Sequence, residues 1–398
     1  MITEDINKRT YSPRELKKCI RPDDFWKYRI GKEKLSDETE KISKEFVESN
    51  FKLKELKRNK IGTKVIFTIS SIYDALTIRR SNYIIKNNIK LTTFSREEEI
   101  SQLHILLKQE PKTSWVFRSD IKSFFESIPF DLVINEMLVE KYISLSTFKH
   151  LLSIETFMKK YGDKGIPRGL PISSSISEFV LRNFDKSIRQ MNACIYYARY
   201  VDDFIIILNK DLGIDKKKIT DLLPFRLKLN DEKTYYEKIG SLKEIDFLGY
   251  TFPLNNPEAI KISKKKINKI KKRIVLSFKK FVKEIKFYLL CDRLKFLSGT
   301  TIMKIAGRKK NVFIGIKQNY KLCSEETILK QLLELDTFYK RILFSNNYVL
   351  SIKLREKLSQ QQIKELKKIS FIGGYNNNIK HFRTRKRISD IKNGWRYE

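Results

Sequence analysis

Two adjacent carboxylates, Asp202 and Asp203, constrain this chain more than any other feature. They follow Tyr200 and Val201 and precede the run Phe-Ile-Ile-Ile-Leu at 204–208. β-Branched and aromatic residues in so short a run predict a buried strand, entered from a tight turn that holds the acids. Burying unpaired carboxylates is costly, so acids at the edge of a core strand are expected to meet a cation or a metal ion. For this pair alone, a solvated turn is the alternative.

A third acid occurs in a similar setting upstream. The apolar run at 115–121 predicts a strand that delivers Asp120 near its end, and Phe124, Phe125 and Ile128 predict a helix after it. For Asp120 alone, a simple helix cap is the alternative. Together, the three acids suit two divalent cations that stabilise the attacking and leaving oxygens of a phosphoryl transfer. Oxygen ligands favour Mg²⁺, with Mn²⁺ as the alternative.

The charge of the chain predicts a polyanionic partner. The net charge is +35, and residues 256–398 hold 36 basic and 11 acidic residues. A membrane surface would attract the same charge, but the sequence has no apolar run of about 18 residues and no signal-peptide pattern. Four scattered cysteines indicate a reducing compartment. The expected protein is cytoplasmic, binds nucleic acid and does not use a membrane.

Helix and strand patterns alternate up to about residue 255, which indicates the α+β class. A helix is expected from Asp37, where Asp37 and Glu40 resemble a capping box. The other expected elements are a strand at 64–69, a helix after Arg96, helices within 131–160, a helix from about 219 to 225, a hairpin at 245–252 and a helix at 328–343.

A loop at 165–175 carries two Pro and two Gly followed by hydroxyl residues. Its backbone is expected to approach a ligand closely before a helix begins. An ordinary loop with a helix cap is the alternative.

Beyond Pro257 the composition shifts, which marks a domain boundary. Residues 264–286 contain 11 Lys or Arg and one acid, with apolar residues at spacings of three and four. This pattern predicts a helix with one packed stripe and a cationic remainder, although a membrane-lying helix has a similar pattern. The residues expected to contact nucleic-acid phosphates are Lys265, Lys269, Lys272 and Arg273. A last basic run at 381–387 leads to Trp395.

In their order along the chain, these motifs resemble those of the reverse transcriptases. The match comprises the segment 120–125, the loop-helix segment from Gly165 with Glu178, the Tyr-Val-Asp-Asp sequence at 200–203, a motif lysine at Lys233, and a primer-grip-like Phe-Leu-Gly-Tyr at 247–250. The resemblance implies an α+β right-hand polymerase with fingers, a ferredoxin-like palm and a basic helical thumb. It divides the chain into 1–110 (N-terminal extension and fingers), 111–255 (palm, with part of the fingers at about 131–165) and 256–398 (thumb and C-terminal region).

The resemblance also implies roles for individual residues. The implied metal ligands are Asp120, Ile121, Asp202 and Asp203. Phe125 stands at the steric-gate position, where a ring would exclude a ribose 2′-hydroxyl, unless it is a core aromatic. Lys233 would protonate the leaving pyrophosphate, unless it is a surface lysine. Further contacts to the nucleotide or template are implied for Arg79, Arg96, Arg168, Gly169 and Ser173, and a primer contact for Gly249. Arg168 replaces the glutamine that is common in the family.

Within that family, the segment at 118–128 is most similar to the corresponding segment of the bacterial anti-phage reverse transcriptases of the abortive-infection and unknown-group types. The implied function is an RNA-directed DNA polymerase in phage defence that uses dNTPs, an associated non-coding RNA as template, and forms a DNA product. An oligomer or an accessory protein is left open. Two alternatives remain: template-independent or protein-primed DNA synthesis, and an RNA-binding scaffold whose polymerase site is vestigial.

Overall fold

The computed structural model describes residues 10–62, 64–89, 95–109, 112–303 and 311–395. By their contacts these residues form two compact units. The first unit lies within Met1–Glu99 and Pro111–Ile239, and the second within Ile100–Glu110 and Gly240–Glu398. The division into three parts after residues 110 and 255 remains a prediction.

The first unit begins with helices around a small apolar core and a β-hairpin. The elements are α1 (Pro13–Lys17), α2 (Asp24–Lys27), α3 (Lys32–Val47), β1 (Leu56–Ile61), β2 (Lys64–Ile69), α4 (Ile72–Ile89) and α5 (Arg96–Gln109), of which α5 continues into the residues of the second unit. The strand at 64–69 and the helix at Arg96 are confirmed. The predicted helix start at Asp37 is wrong, because α3 begins at Lys32 after Gly31. Leu35 is buried in the same core as Ile42, so packing extends the helix by more than one turn.

The centre of the first unit is a four-stranded antiparallel sheet. Its strands are β3 (Trp115–Asp120), β4 (Cys194–Tyr200), β5 (Asp203–Leu208) and β6 (Tyr235–Lys238), in the order β4-β5-β3-β6. The apolar run at 204–208 is fully buried. Side chains of a strand alternate between the two faces of a sheet, so burial of every residue requires cover on both faces. The predicted buried strand is therefore confirmed.

Helices of the first unit supply most of the cover for this sheet. They are α6 (Phe124–Ser127), α7 (Phe130–Val139), α8 (Leu145–Lys159), α9 (Ile172–Arg189) and α10 (Lys216–Asp221). Phe179 and Phe184 of α9 pack in the same core as Phe204 of β5. The helix predicted to run to Phe225 ends at Asp221, because Pro224 follows and Phe225 has a φ of 53°.

The second unit contains two small sheets. One is the antiparallel sheet of β7 (Glu244–Phe247), β8 (Tyr250–Pro253) and β9 (Lys261–Ile262), which includes the predicted hairpin at 245–252. The other has the order β11-β10-β12 and consists of β10 (Thr300–Met303), β11 (Val312–Ile314) and β12 (Lys380–Phe382). Strand β10 is antiparallel to β11 and parallel to β12.

The rest of the second unit is helical. Its helices are α11 (Lys264–Glu284), α12 (Phe287–Ser298), α13 (Ile316–Asn319), α14 (Glu325–Phe344), α15 (Val349–Lys357), α16 (Gln360–Lys367), α17 (Phe371–Asn376) and α18 (Arg385–Asn393). The predicted basic helix is confirmed as α11, whose apolar stripe at Ile267, Ile274 and Phe278 is buried. The predicted helix at 328–343 is confirmed within α14. Nowhere in the described ranges does a helix have the length and apolar composition needed to cross a bilayer.

Candidate active site

The sheet of the first unit brings the three predicted acids to one edge. Asp120 ends β3 and pairs in register with Asp203, the first residue of β5. Asp202 lies in the two-residue turn between β4 and β5, next to Asp203. Since paired residues on neighbouring antiparallel strands lie about 5 Å apart, the carboxylates converge as the sequence predicted.

The turn that carries Asp202 has a strained backbone. Val201 has a φ of 63°, in the left-handed region that a β-branched residue rarely adopts. Such a conformation costs about 1–3 kcal/mol and persists only where the surroundings hold it. Arg199 Nη1 donates a hydrogen bond of 2.9 Å to the Val201 carbonyl, and the Ile121 N–H donates one of 3.0 Å to the Asp202 carbonyl. These two contacts fix the turn from both of its sides.

Arg199 also connects the turn to helix α9. Its Nη2 lies 2.6 Å from Glu178 and 2.6 Å from Asp185, and its side chain is 4% exposed. Burial alone would lower the pKa of Arg199, but the ion pairs with Asp185 and Glu178 raise it overall. Glu178 was expected from the loop-helix motif, whereas Arg199 and Asp185 were not expected as site residues. Two acids seven residues apart on one helix were the available signal, because they lie two turns apart on the same face.

Two cations neutralise part of the acid cluster. Arg118 Nη2 lies 3.0 Å from Asp203 Oδ1, and the Lys233 ammonium contacts Asp120 Oδ2. Burial raises the pKa of Asp202, and the nearby Asp120 adds to this effect while Arg168 and Lys233 oppose it. Burial also raises the pKa of Asp203, against the opposing effect of Arg118. The folded protein therefore keeps three acids together at an electrostatic cost.

The donor set at this edge fits a hard cation. Oδ1 of Asp120 is buried and has no hydrogen-bond partner within the described part of the chain, which is costly unless another group satisfies it. Carboxylate oxygens are the ligands that Mg²⁺ and Mn²⁺ prefer. Still, no three acidic, His or Cys side chains of the described residues already form a ligand set. Asp120 and Asp202 thus fit as ligands, whereas Asp203 is engaged by Arg118.

Arg168 lies close enough to Asp202 to affect its pKa, and it also contacts Phe125. The Arg168 guanidinium lies 4.6 Å from the centroid of the Phe125 ring and pairs with Glu126 at 3.0 Å. Phe125 is partly buried and packs against the main core. One side of the ring therefore packs and the other faces Arg168, and its role as a steric gate stays a prediction.

Gly169 and Ser173 both help to hold the loop in its conformation. Gly169 has a φ of 98°, and a Cβ there would lie 2.6 Å from the carbonyl oxygen of Phe67 in β2. The Phe67 N–H donates to the Arg168 carbonyl at 2.8 Å. Ser173 is buried and donates its hydroxyl hydrogen bond to the Pro167 carbonyl. These contacts give both residues a structural role in the loop, and their substrate contacts stay a prediction.

The structure places the two upstream arginines, Arg79 and Arg96, in different settings. Arg79 forms a bidentate ion pair with the buried Asp24, at 2.6 and 2.8 Å, and donates to the Cys19 carbonyl. Since this guanidinium is only about one-tenth exposed, its predicted role as a triphosphate contact is corrected to a structural one. Arg96 begins α5, and its role stays a prediction.

The predicted nucleic-acid contacts lie in the second unit. Gly249 has a φ of 89° in the two-residue turn between β7 and β8. On α11, Lys265, Lys269 and Lys272 are exposed. Arg273 differs, because it is half-buried with its guanidinium 5.1 Å from the centroid of the Trp395 ring. Burial lowers the pKa of Lys269, and the nearby positive charges of Arg273 and Lys265 add to this effect.

One comparison with known protein families matches the part of the chain that holds the acid cluster. Residues 69–252 match the family model described as reverse transcriptase (RNA-dependent DNA polymerase). No curated protein matches the chain.

The similar solved structures include telomerases. Apo telomerase from Candida tropicalis truncated from its C-terminal domain is 14% identical, covering 52% of this chain and 54% of that chain with a TM-score of 0.37. Telomerase from Candida albicans with a TWJ fragment of telomeric RNA is 13% identical, covering 80% and 53%, with a TM-score of 0.34. Apo telomerase from Candida tropicalis is 13% identical, covering 85% and 64%, with a TM-score of 0.36. This chain thus spans less than two thirds of each telomerase, and scores this low establish no shared function.

The family match and the acid cluster fall on the same residues. Segment 69–252 contains the three aspartates, the loop that carries Arg168 and the hairpin that carries Gly249. The mixed helix and sheet architecture fits an α+β right-hand polymerase. The part of the chain that is similar to reverse transcriptases therefore includes the whole acid cluster.

Proposed function

We propose that this protein is an RNA-directed DNA polymerase that adds dNTPs to a primer 3′-hydroxyl. The observation that carries the proposal is the pairing of Asp120 with Asp203 across β3 and β5, with Asp202 in the strained turn beside them. A binding scaffold has no use for three crowded acids, because they repel the polyanion that the rest of the chain attracts. The alternative of a vestigial site is therefore disfavoured.

Asp120 and Asp202 would hold the catalytic cations, with the main-chain carbonyl of Ile121 as a further oxygen. Two bound Mg²⁺ ions, or Mn²⁺, supply activation of the 3′-hydroxyl and neutralisation of the leaving pyrophosphate. Asp203 forms an ion pair with Arg118 and would shape the electrostatic field around Asp120 and Asp202. The Lys233 ammonium contacts Asp120, and it would give a proton to the pyrophosphate once that contact opens.

Phe125 would select deoxyribonucleotides, with Arg168 holding one face of its ring. We expect Phe125→Ala to lower the preference for dNTPs over rNTPs by roughly tenfold or more, because the steric penalty of 1–3 kcal/mol on a 2′-hydroxyl is lost. The measurement is the ratio of dNTP to rNTP incorporation. Phe125→Tyr keeps the ring and should keep the ratio, and an unchanged ratio in Phe125→Ala would assign the ring to packing alone.

In the second unit, the exposed face of α11 suits the phosphates of an RNA template and its DNA product. Each phosphate contact made by Lys265, Lys269 or Lys272 should add about 0.7–0.9 to the slope of log affinity against log salt. Arg273 contributes less, because its guanidinium is half-buried beside Trp395.

The biological setting we propose is phage defence in the cytoplasm, with an associated non-coding RNA as template. The similarity of residues 118–128 to the defence-associated reverse transcriptases supports this setting. The competing function at the same site is template-independent or protein-primed synthesis, for which one of the 18 tyrosines would supply the priming hydroxyl. An oligomer or an accessory protein would be compatible with either function.

The deciding experiment measures dNTP incorporation by wild type and Asp202→Asn, with Mg²⁺ or with EDTA. We expect Asp202→Asn to lose at least about a thousandfold in rate, because a metal ligand is removed with little change in shape. Asp211→Asn is the matched control, since Asp211 lies beyond the far end of β5 and accepts from Tyr236. Full activity of Asp202→Asn would refute the site.

The same assay separates the two modes of synthesis. Product that requires an added primed RNA and copies its sequence supports templated synthesis. Product that forms without template, or that stays attached to protein after denaturation, supports the competing function. Sequencing the nucleic acid that copurifies with wild type, but not with Asp202→Asn, would identify the natural product.

A further inference from the structure

Arg293 of α12 is a buried cation. Only 3% of the residue is exposed, and its Nε atom is enclosed without a hydrogen-bond partner in the described part of the chain. Arginine stays protonated at all ordinary pH values, so it carries its charge into the protein interior. Buried charges are usually paired, because an unpaired one is costly to enclose. Arg293 therefore needs a counter-charge close to its guanidinium.

The acids near this side chain are engaged by other cations. Asp292, the preceding residue, lies 2.5 Å from Arg383 and 2.5 Å from Arg387. Glu284, the last residue of α11, forms an ion pair of 3.1 Å with Lys280. Burial lowers the pKa of the buried arginine, Glu284 opposes this effect, and Arg387 adds to it. Neither acid is therefore left over to neutralise the enclosed charge.

Gly394, the residue after α18, leaves room for the guanidinium. Its backbone is helical, with a φ of −64°, so its conformation does not require glycine. A Cβ at this position would lie 2.6 Å from Cζ and 2.9 Å from Nη2 of Arg293, which is closer than real contacts allow. A larger residue at 394 would therefore displace the Arg293 guanidinium, and the glycine keeps the guanidinium in its place.

The C-terminal end of α18 is the alternative counter-charge. The helix ends at Asn393, next to Gly394, and its last carbonyl groups carry a partial negative charge. Those partial charges sum to about half an elementary charge, so they offset only part of the enclosed positive charge. The Nε atom of Arg293 donates a hydrogen bond to none of these carbonyls. The helix end thus lowers the cost of burial without removing the need for an anion.

A second arginine adjoins the same segment. Trp395 follows Gly394, and the Arg273 guanidinium of α11 lies 5.1 Å from the centroid of the Trp395 ring. The ring nitrogen of Trp395 donates a hydrogen bond of 2.9 Å to Ser277 Oγ, which keeps the ring on α11. Burial lowers the pKa of Arg273 as well. These two neighbouring residues therefore each contact an arginine, and the local field attracts an anion.

We propose that Arg293 binds a terminal phosphate group, at a site separate from the three aspartates. A guanidinium and a phosphate match as two parallel hydrogen bonds between a planar fork and two oxygens. Since only 3% of Arg293 is exposed, the ligand reaches it through one small group, which excludes the continuous backbone of a duplex. The group is carried by a free nucleotide or by the end of an oligonucleotide. The site does not rest on the proposed polymerase function, because binding requires neither dNTP incorporation nor the aspartates.

The first test compares wild type with Arg293→Met in the full-length protein. Methionine keeps the apolar stem and removes the charge, so without phosphate this variant should melt at the same temperature as wild type or higher. Inorganic phosphate should raise the melting temperature of wild type beyond the effect of sodium chloride at equal ionic strength, because it binds the folded state. This excess should vanish in Arg293→Met. An excess of the same size in the variant would overturn the proposal.

The second test measures the affinity for adenosine 5′-monophosphate by titration calorimetry. We expect Gly394→Ala to weaken it at least about tenfold, the loss of one hydrogen bond to a charged group. The added methyl group displaces the Arg293 guanidinium while every charge stays in the protein. Alanine suits the helical backbone at 394, so the result does not depend on the folding of Arg293→Met. Unchanged affinity in Gly394→Ala would refute the site.

Arg355→Met is the matched control for both tests. It removes one charge from the same unit, where the Arg355 guanidinium donates hydrogen bonds of 3.1 Å to the Phe344 carbonyl and to Asn346. Both the phosphate effect on melting and the affinity for the nucleotide should persist in this variant. Losses equal to those of Arg293→Met would mean that net charge alone attracts phosphate, and the proposal would fail.

Two ten-nucleotide oligomers, one with a 5′-phosphate and one with a 5′-hydroxyl, identify the source of the phosphate group. Tighter binding of the phosphorylated oligomer that is lost in Arg293→Met would assign the site to nucleic-acid ends. Equal binding of both oligomers, together with nucleotide binding that depends on Arg293, would assign it to free nucleotides. Both results support the site. If Arg293→Met changed the binding of none of these phosphates, the site would not exist.

Discussion

The hairpins β7-β8 and β4-β5 both turn in two residues, but the backbone conformations of the two turns differ. The turn between β7 and β8 uses Leu248 and Gly249, with φ values of 46° and 89°. Two positive values are the pattern of a type I′ turn, which matches the twist of a hairpin and favours glycine. In the turn between β4 and β5, only Val201 has a positive φ, at 63°. That pattern belongs to a type II′ turn, whose first central position normally requires glycine.

The difference shows where each turn gets its conformation. At 248–249 the local sequence suffices, because glycine accepts a positive φ at no steric cost. At 201–202 the local sequence opposes the turn, and Arg199 and Ile121 hold it through contacts from the surrounding fold. Strain that is maintained by tertiary contacts is typical of a functional site. The strained turn is the one that carries Asp202.

The largest effect on the strained turn at 201–202 is expected from Arg199→Lys. Lysine keeps the charge but cannot bond Glu178, Asp185 and the Val201 carbonyl together, because it lacks the planar guanidinium fork. We expect the rate of dNTP incorporation to fall by about 10–100-fold, since a misplacement near 1 Å at a reacting centre costs about that much. The Mg²⁺ concentration for half-maximal rate should rise as well.

Arg182→Lys is the matched control for that variant. Arg182 also lies in the first unit and bridges two acids, Glu136 and Glu140, at 2.8 and 2.7 Å. None of the described hydrogen bonds of Arg182 reaches the turn at 201–202. Equal losses of activity in both variants would mean that Arg199 acts through general stability and not through the turn.

A pair of opposite substitutions tests the backbone argument through stability. We expect Gly249→Ala to lower the free energy of unfolding by about 1–2 kcal/mol, because alanine resists a positive φ. Val201→Gly should cost less than this, since relief of strain offsets the entropy cost of glycine. Urea denaturation followed by circular dichroism measures both.

Gly373→Ala supplies the control for the glycine substitution. Gly373 lies in α17 without a positive φ, and an added Cβ would meet only Ser370 at an ordinary distance of 3.4 Å. It should be neutral or slightly stabilising. If Val201→Gly proved more damaging than Gly249→Ala, Val201 would matter for packing more than its backbone strain costs.

The smallest expected effect concerns pH. Burial raises the pKa of Asp202 and Asp203 in the folded protein, so the native state holds protons at a pH where the unfolded chain has lost them. Its free energy of unfolding should then fall as pH rises above the ordinary aspartate value of about 3.9 and through the raised pKa values. In EDTA, melting temperatures measured from about pH 4 to pH 7 should show this contribution.

Mg²⁺ and Asp202→Asn provide the contrast for the pH series. Bound Mg²⁺ should restore melting temperature at neutral pH, because it neutralises the crowded acids. Asp202→Asn should flatten the pH dependence and be slightly more stable than wild type in EDTA. A pH dependence that is identical in Asp202→Asn would mean that this carboxyl does not destabilise the fold.

What the sequence could predict was local. The apolar run at 204–208 and the Leu-Gly turn at 248–249 follow from residue types within a few positions, and both are confirmed. The convergence of Asp120 with Asp203 was predictable because each acid adjoins a strong strand pattern. The pairing of Arg79 with Asp24 was not, because neither residue adjoins a strand pattern that fixes its position in a sheet. The contacts that hold the Val201 turn could not be predicted either, because Arg199 of β4 meets Glu178 and Asp185 of α9 only in the folded protein.

Gly169 decides what a relative of this protein would have to keep. The atom that an added Cβ would meet is the main-chain oxygen of Phe67, and no side-chain replacement in β2 can move a main-chain atom out of the way. A lineage that lost DNA synthesis would be free to replace Asp202, yet it would retain this glycine as long as the loop remained on β2. A glycine at this position in a relative would therefore indicate that the relative has kept the fold. Only the three aspartates would indicate that it has kept the chemistry.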